Sequence, residues 1–479
     1  MRLHYILRYI GLIFIFNSIF LFISFLISVF NSDSSAIPLF YSTLIALVFG
    51  IFPLIFVPSQ SHINSHEGIV IVVFSWLSSC LIGSLPYILW GGEFNFTNAW
   101  FESVSGYTTT GSSIINNIEA LPKGLLFWRS VSQWIGGTGI ILFVLYILPI
   151  ANQSKLVLFN SEMSSIAKKS YIYRTKQILQ ILLYVYIGLT VLETLFLFIS
   201  GMNVFDALTH SFTTIATGGF STKNLSIAYY NNIGIEITII VFMLLSGIHF
   251  GLLFETILGR RNNVFKSPIV KFYLLLIFIG IILVSIKLHG SEFDTWGETI
   301  RYSSFQVISL GTSTGFATID TANWSGFTQL ILVFFTLQCA CAGSTSGGIK
   351  IDRIFILWKT IIKNIKLLQH PHAIIPIKIG KISISDDITR NSISYIILYL
   401  IVVFISTLLI SALNVDIYTA FSGSAATMGN VGPGFGDVSS LGNYSQIPDA
   451  GKWVLTFNML LGRLEIYGFL SLFMIKSWK

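Results

Sequence analysis

Charged residues are scarce in this sequence: Asp, Glu, Lys and Arg make up 10% of its 479 residues, whereas a soluble domain has about 25%. So few charged side chains cannot cover the surface of a soluble protein of this length. With 53% hydrophobic residues and a mean hydropathy of +0.77, the composition indicates a protein that crosses a membrane many times.

Cysteine is almost absent, and Cys80, Cys339 and Cys341 all lie in apolar runs, which excludes a disulfide scaffold. The eight histidines show no ligand spacing, so we expect no metal site apart from one for a transported ion. The sequence has no Walker motif and no dinucleotide fingerprint, and therefore no visible means of hydrolysing ATP. The glycine-rich run 136–139 is typical of close helix packing.

Long apolar runs dominate what is present. A bilayer core of about 30 Å needs roughly 20 apolar residues in a helix. Ten stretches qualify: 5–30, 38–57, 68–91, 122–150, 177–200, 233–258, 270–288, 326–361, 392–413 and 451–475. The first run is longer than the core of a signal peptide, and no cleavage site of the usual kind follows it, so we expect it to be a retained membrane span.

The basic residues are distributed according to membrane topology. If the N-terminus is cytoplasmic, 21 of the 28 lysines and arginines fall in cytoplasmic segments, mainly 151–176, 260–271 and 350–390. Ten spans with both termini in the cytoplasm therefore satisfy the positive-inside rule. The net charge of +7 reports topology, and we expect no nucleic-acid partner.

A half-length apolar piece follows one span and precedes the next in four places, at 97–113, 203–221, 294–318 and 415–436. Each piece ends in a tail rich in Gly with Thr or Asn. We register the tails on Gly111, Gly218, Gly315 and Gly432, at intervals of 107, 97 and 117 residues. Near-equal spacing of this kind indicates a fourfold internal repeat.

Four such tails can surround a pore. Irregular backbone at membrane depth is tolerated where it lines a water-filled cavity, and a short helix that ends there points the negative end of its dipole at the centre. Backbone and hydroxyl oxygens can replace the hydration shell of a monovalent cation. The predicted filter residues are Thr109, Thr110, Gly111, Ala216, Thr217, Gly218, Ser313, Thr314, Gly315, Asn430, Val431 and Gly432.

These features resemble the Trk/Ktr/HKT superfamily of potassium transporters over essentially the full length, and within it the TrkH-type membrane subunits. The extra N-terminal hairpin and the stretches 341–353 (CAGSTSGGIKIDR) and 462–468 (GRLEIYG) carry the closer resemblance. It implies a potassium-selective pore, a homodimer, and control by a cytosolic nucleotide-binding ring of the TrkA kind. Sodium-selective relatives replace a filter glycine with serine; glycine at all four positions favours potassium and also rubidium.

The expected fold is an all-α polytopic membrane protein with an N-terminal transmembrane hairpin and four pseudo-fourfold M1–P–M2 repeats around one central pore. The expected location is the bacterial inner membrane. The predicted boundaries are 1–67 for the hairpin, 68–150 for the first repeat, 151–260 for a cytoplasmic loop with the second, 261–370 for the third, and 371–479 for a loop with the fourth.

The run 326–361 is too long for one straight span, and it is broken by glycines and hydroxyls. Either the break is a simple kink, or it is a flexible loop below the filter that blocks permeation until it is moved. We favour the loop, which the resemblance supports, with Lys350 and Arg353 on its cytoplasmic side. The predicted gate residues are Gly343, Ser344, Thr345, Ser346, Gly347, Gly348, Lys350 and Arg463.

Arg463 lies midway along the last apolar run, where a charge must face a cavity or be paired. Facing the cavity below the filter, it would raise a barrier to cations. Alternatively, it forms a structural ion pair with Glu193, Glu255 or Glu465. Glu465, only two positions further along the same helix, points elsewhere and is a poor partner.

Potassium uptake is the favoured function. The alternatives within transport are a sodium-permeable pore and a symporter that couples potassium to protons or sodium. A non-transporting assembly subunit has no reason to repeat a glycine tail four times. A membrane enzyme would need converging acids, histidines or nucleophiles, which the tails do not supply.

Overall fold

The computed structural model describes residues 3–58, 64–139, 175–259, 263–380, 382–470 and 472, and it is built almost entirely from helices. In chain order the first seven are α1 Leu3–Phe30, α2 Ala36–Phe56, α3 Ser65–Trp90, α4 Phe96–Tyr107, α5 Lys123–Gly137, α6 Thr175–Ile199 and α7 Val204–Ile215. The next six are α8 Ile233–Ser246, α9 Phe250–Ile257, α10 Pro268–Leu288, α11 Trp296–Gly311, α12 Gly326–Leu337 and α13 Ile351–Gln369. The last four are α14 Asp386–Ser411, α15 Ile417–Gly429, α16 Asp449–Arg463 and α17 Ile466–Leu470.

Six of these helices are long and apolar enough to cross a membrane within the described residues, namely α1, α2, α3, α6, α10 and α14. A seventh span is possible if α8 and α9 count as one, although they are bent by 104° at the break between them. Predicted span 122–150 is described only as far as Gly139. The prediction of an all-α polytopic membrane protein is confirmed; the repeat boundaries and the count of ten spans stay predictions.

Four short helices, α4, α7, α11 and α15, coincide with the predicted half-length pieces. They have 12 to 16 residues, which at about 1.5 Å per residue is too short to span a bilayer. Each begins at a polar residue whose side-chain oxygen accepts from a backbone N–H of the first turn. These N-caps are Asn95, Asn203, Thr295 and Asp416.

The predicted over-long span 326–361 is interrupted. Helix α12 ends at Leu337, and a two-residue strand β1 (Gln338–Cys339) then pairs in parallel with β2 (Ile349–Lys350). Helix α13 starts directly after β2. The chain therefore leaves the helical path and returns to it at a base closed by backbone hydrogen bonds, which a simple kink would not produce.

Helices α1 and α2 form an N-terminal hairpin that packs on α3 and α5. At the turn, Asp33 accepts hydrogen bonds from the backbone N–H of Ser35 and from that of Gly124 in the first turn of α5, both at 3.0 Å. Burial alone would raise the pKa of Asp33, but hydrogen bonds from Ser28, Gly124 and Ser35 outweigh it and lower the pKa. The turn is thereby fastened to α5 by a charged cap.

A second hairpin pairs β3 (Lys378–Ile379) with β4 (Ile382–Ser383).

Candidate ion pathway

All four short helices end in the same way. The second residue past α4, α7 and α11, and the first residue past α15, has a left-handed conformation, with φ between 53° and 59°. Its N–H bonds to the carbonyl three residues back, and the next N–H bonds to the carbonyl five residues back, which is the Schellman arrangement. The left-handed residues are Thr109, Thr217, Ser313 and Asn430.

Two positions after each left-handed residue comes a glycine with φ between 73° and 93°. A Cβ atom on any of these glycines would press against a carbonyl oxygen of the neighbouring tail. The pairs, with the glycine first, are Gly111 with Gly218, Gly219 with Thr314, Gly315 with Val431 and Gly432 with Thr110. The pairs form a closed cycle through all four tails, and we call these four glycines and four carbonyls the glycine ring.

The glycine ring corrects our register for the second tail. The matching glycine there is Gly219, which has a positive φ, and Gly218 instead supplies a ring carbonyl. Ala216 has an αR conformation as the C-cap of α7 and lies one position before the matching triplet. The predicted triplet Ala216–Thr217–Gly218 is therefore shifted by one residue, because the Gly218–Gly219 pair fits the pattern in two ways.

The backbone of each tail is suited to binding a cation through its carbonyl oxygens. The sign of φ alternates over three residues, for example positive at Thr109, negative at Thr110 and positive at Gly111. Carbonyls that converge on one axis can replace the water around a monovalent cation. The C-terminal ends of the four short helices add partial negative charge.

Two buried side-chain oxygens next to the glycine ring have no hydrogen-bond partner among the described residues, Thr109 Oγ1 and Asn430 Oδ1. Buried polar atoms are normally satisfied by protein, water or an ion. Both belong to left-handed residues at the helix ends. Both atoms are therefore available as oxygen ligands for a water molecule or an ion.

Polar side chains seven positions before the left-handed residues tie three of the returning tails to their own helices. Glu102 accepts from the N–H of Ile114 at 3.1 Å, His210 contacts Ser221 Oγ at 2.9 Å, and Gln306 donates to the carbonyl of Ile319 at 3.0 Å. The fourth equivalent position is Gly423. The sequence analysis did not identify these residues, although their equal spacing from the tails was a readable signal.

Helix α5 supports the second tail through two buried polar residues that the sequence analysis also missed. Gln133 donates to the ring carbonyl of Gly218 at 2.8 Å and accepts from the N–H of Phe220 at 3.1 Å. Arg129 forms an ion pair with Glu102 at 2.6 Å, with both side chains almost fully buried, and donates to the carbonyl of Ser221. Polar residues inside a predicted span were the available signal.

A cavity opens on one side of the glycine ring. All four ring glycines line it, together with residues of the returning tails such as Ser112, Ser113 and Tyr444. The Tyr444 hydroxyl donates to the carbonyl of Gly432 at 2.7 Å. A hydrated ion in this cavity would meet backbone carbonyls and hydroxyls before it reached the ring.

The 343–348 loop lies against the helix ends beside the glycine ring. Thr345 donates to the carbonyl of Ile215, the last residue of α7, at 2.9 Å. The N–H of Gly347 donates to Ser313 Oγ at 3.3 Å, and a Cβ atom on Gly347 would collide with Asn430. The structure thus brings the predicted gate residues next to the ends of three short helices.

Two cationic side chains hold the carbonyls of the 343–348 loop. Arg463 donates to the carbonyl of Thr345 at 2.5 Å and to those of Gly136 and Gly137 at 2.6 and 2.7 Å. Lys350 Nζ donates to the carbonyl of Ser346 and contacts its hydroxyl at 3.1 Å. Arg463, Lys350 and the loop line one shared cavity, which is the placement that the cavity-facing hypothesis requires.

Of the acids considered as partners of Arg463, Glu465 pairs with a different arginine. Glu465 forms an ion pair with Arg353 at 2.9 Å, at the short break between α16 and α17. Glu193 is fully buried in α6, and Glu255 is buried in α9. Glu236 is paired with Arg301 at 2.6 Å, as expected for a structural role.

The break between α8 and α9 was not predicted from the sequence. The N–H of Cys341 donates to the carbonyl of Gly247 at 3.0 Å, and the N–H of Phe250 donates to that of Gly343 at 3.2 Å. The two interrupted helices therefore exchange backbone hydrogen bonds at their breaks.

Within the described residues, no three His, Cys, Asp or Glu side chains come together in a way that could hold a metal ion.

Known proteins share this architecture. A family model described as TrkH, cation transport protein, matches residues 40–478. Trk system potassium uptake protein TrkH of Halomonas elongata is 35% identical over the full length of both chains, and its namesake in Escherichia coli K12 is 34% identical over the same extent. The crystal structure of the potassium transporter TrkH from Vibrio parahaemolyticus aligns over both full chains with a TM-score of 0.90 and 30% identity.

Proposed function

The chain belongs to the TrkH family of cation transport proteins, which are transporters and not enzymes, and from this premise we propose that it takes up potassium through a pore formed by a single chain. The observation that carries the proposal is the glycine ring, in which each glycine is packed against a carbonyl of the next tail. Only a residue without a side chain fits there. The ring is therefore fixed in shape, and its ligands are backbone oxygens.

Potassium suits these ligands better than a divalent cation does. The ring has no carboxylates, whereas calcium is bound mainly by carboxylate and carbonyl oxygens at high ligand charge. The residues proposed to contribute oxygens are the left-handed residue, the ring carbonyl and the ring glycine of each tail. For the second tail these are Thr217, Gly218 and Gly219.

Gly315→Ser tests the filter. A serine Cβ at this position would collide with the carbonyl of Val431 and would adopt an unfavourable left-handed conformation. We expect the variant to lose preference for rubidium over sodium in competition assays of uptake into liposomes. Gly297→Ser is the matched control, because Gly297 lies on the same stretch with open space around it.

The same assay separates the alternative functions. Rubidium uptake by the purified protein without an imposed proton or sodium gradient supports a pore, and uptake that requires either gradient supports a symporter. Equal uptake of sodium and rubidium would contradict potassium selectivity. Absence of flux from well-folded protein would leave the assembly subunit as the better explanation, and unchanged selectivity in Gly315→Ser would remove that residue from the filter.

We further propose that the 343–348 loop gates the pathway. The loop contacts the ends of α7, α11 and α15, and a cation that leaves the glycine ring on that side meets Arg463 and Lys350. Positive charge close to a low-dielectric pathway raises the energy of a passing cation. Movement of the loop would remove the obstruction. It would also carry away the loop carbonyls that Arg463 and Lys350 contact.

Regulation and assembly follow from the family resemblance. We propose a homodimer in the bacterial inner membrane, with both termini cytoplasmic and a cytosolic nucleotide-binding ring of the TrkA kind bound at the basic segments 151–176 and 350–390. Residues 151–174 lie outside the described residues. Among the described residues, the exposed basic C-terminal half of α13 supports this proposed binding site.

A further inference from the structure

Glu193 is an acid inside a membrane-length helix with nothing to neutralise it among the described residues. It lies six residues before the end of α6, and its exposed fraction is 0%. Neither carboxyl oxygen has a hydrogen-bond partner in the described part of the chain. An acid in a membrane span that lacks a partner points to a function that uses its charge or its proton.

Other buried acids of the protein differ in this respect. Glu102 is paired with Arg129 at 2.6 Å, and Glu236 is paired with Arg301 at 2.6 Å. Those sites stabilise a carboxylate. Burying an isolated carboxylate without such a partner is far more costly than burying the neutral acid, so the environment of Glu193 accommodates the protonated form.

The hydroxyl next to Glu193 agrees with a protonated acid. Thr214, near the end of α7, lies beside the carboxyl group, but its hydroxyl donates to the carbonyl of His210 at 2.8 Å. With its hydrogen committed, Thr214 can offer Glu193 only an acceptor. A neutral carboxyl group, which has a hydrogen to donate, suits that neighbour better than a carboxylate, which can only accept.

Charged and titratable groups occur on each helix that contacts α6. They are Asp206 and His210 on α7, Glu236 on α8, His249 and Glu255 at α9, Arg129 on α5, and Arg463 near Tyr186 of α6 itself. None of them is hydrogen-bonded to Glu193 in the described structure. His210 is engaged by the carbonyl of Asp206 and by Ser221, and Arg463 by the backbone carbonyls of the loop and α5. A change in the charge of Glu193 therefore acts on its surroundings without a local counter-ion.

Glu193 is connected to the glycine ring through Thr214. The carbonyl of Thr214 accepts from the N–H of Thr217, the left-handed residue of the second tail, at 2.8 Å. Gly218, whose carbonyl belongs to the ring, is the next residue. A cation held at the ring would stabilise negative charge at Glu193, because opposite charges attract strongly where water is excluded.

We propose that Glu193 is a proton-binding site within the membrane whose occupancy is linked to that of the glycine ring. The proton is bound when the ring holds no cation, and it leaves to solvent as a cation binds, so that the neutral acid becomes a carboxylate and no other bond changes. By reciprocity, removing the proton strengthens cation binding by the same factor. The linkage to transport rests on the proposed potassium uptake; the proton site itself does not.

The first experiment reads the proton directly. Infrared difference spectra of the purified protein, recorded in rubidium minus choline, are expected to show loss of the carbonyl stretch of a protonated carboxyl group. Glu193→Gln, which keeps the shape of the neutral acid, is expected to lack that signal. The control Glu292→Gln, at an exposed position, is expected to keep it, and a wild-type protein without the signal would overturn the proposal.

The second experiment reads the linkage. The rubidium concentration for half-maximal uptake is expected to fall as the pH rises in the wild-type protein, by about 5- to 150-fold in total, the usual range for two coupled sites. In Glu193→Gln it should not change with pH, and in Glu193→Asp the dependence should return at a displaced pH. A Glu193→Gln protein with the wild-type pH profile overturns the linkage. Absence of all flux contradicts the proposed function instead, and the infrared signal still decides the proton site.

Discussion

The left-handed residue at the end of each short helix is not a glycine, although glycine is the usual choice there. Ser313 accepts a hydrogen bond from the 343–348 loop, and Asn430 donates to Thr110 Oγ1 at 3.0 Å and to the carbonyl of Met459 at 2.9 Å. Side chains at these two positions therefore contact the 343–348 loop, the first tail and α16. Asn also tolerates the left-handed region well, which suits Asn430 to the position that Thr109, Thr217 and Ser313 occupy in the other tails.

The Gly218–Gly219 pair offers a test of register. A Cβ atom on Gly219 would collide with the backbone carbonyl of Thr314, whereas one on Gly218 would meet the end of the Gln133 side chain, which can move. An alanine at position 219 would also add a left-handed backbone strain of about 1–3 kcal/mol. We therefore expect Gly219→Ala to reduce the preference for rubidium over sodium roughly tenfold or more, and Gly218→Ala to reduce that preference less. Competition uptake measures both.

Gly218→Ala is thus the matched control for Gly219→Ala. If Gly218→Ala proved the more damaging of the two at equal yields of folded protein, the register read from the sequence would stand and the structural one would be contradicted. The sequence alone could not decide, because Gly218 and Gly219 both follow Thr217 within two positions. Only the left-handed residue that precedes the ring by two positions distinguishes them, and that is a property of the backbone.

The 343–348 loop shows what a sequence can and cannot reveal about an element. Its glycines and hydroxyls, together with the excessive length of the run, predicted an interruption at this place. They could not reveal that β1 and β2 close its base, or that the second break, between Gly247 and Phe250, contacts it. Both depend on backbone hydrogen bonds between segments that are distant in sequence.

The loop and Arg463 are expected to act on one constriction. Deleting Ser344–Ser346 should raise basal rubidium flux by removing the obstruction, and Arg463→Gln should raise it by removing positive charge beside the pathway and a hydrogen bond to Thr345. The two effects should be less than additive, because neighbouring sites couple. Flux per folded transporter is measured for each variant and for the double variant.

Arg390→Gln serves as the control for Arg463→Gln, because the side chain of Arg390 is 76% exposed and Arg390 is not among the described residues that line the cavity. A structural role predicts a different result. In that case Arg463→Gln would lower the yield of folded protein and leave the flux per molecule unchanged, and its assignment to the gate would fail.

The distribution of charge over the protein separates two faces. Lys359, Lys363 and Lys366 are spaced four and three residues apart in α13, so they share one side of that helix. Lys363 is within 3.7 Å of Asp386, which leaves Lys359 and Lys366 as the exposed pair. The basic residue count predicted this face to be cytoplasmic. The sequence could not predict a contact with the regulatory ring, because topology explains basic residues in the loops equally well.

The exposed pair is therefore expected to bind the regulatory ring. Lys359→Gln/Lys366→Gln should reduce co-purification of the regulatory protein while the transporter still inserts and folds, and the loss should resemble that caused by high salt. Lys123→Gln/Lys287→Gln removes the same charge from segments predicted to lie outside. Equal binding by both double variants would mean that the α13 lysines only fix topology.

The glycine ring closes between Gly432 and the carbonyl of Thr110, two tails at opposite ends of the sequence. Contacts between such distant residues form late, because the intervening chain must first be ordered. During synthesis, the first three tails are thus made and inserted while the fourth side of the ring is still missing. If the glycine ring is the selective constriction, as proposed, selective passage through the membrane begins only when the last helices have inserted and the chain is nearly finished.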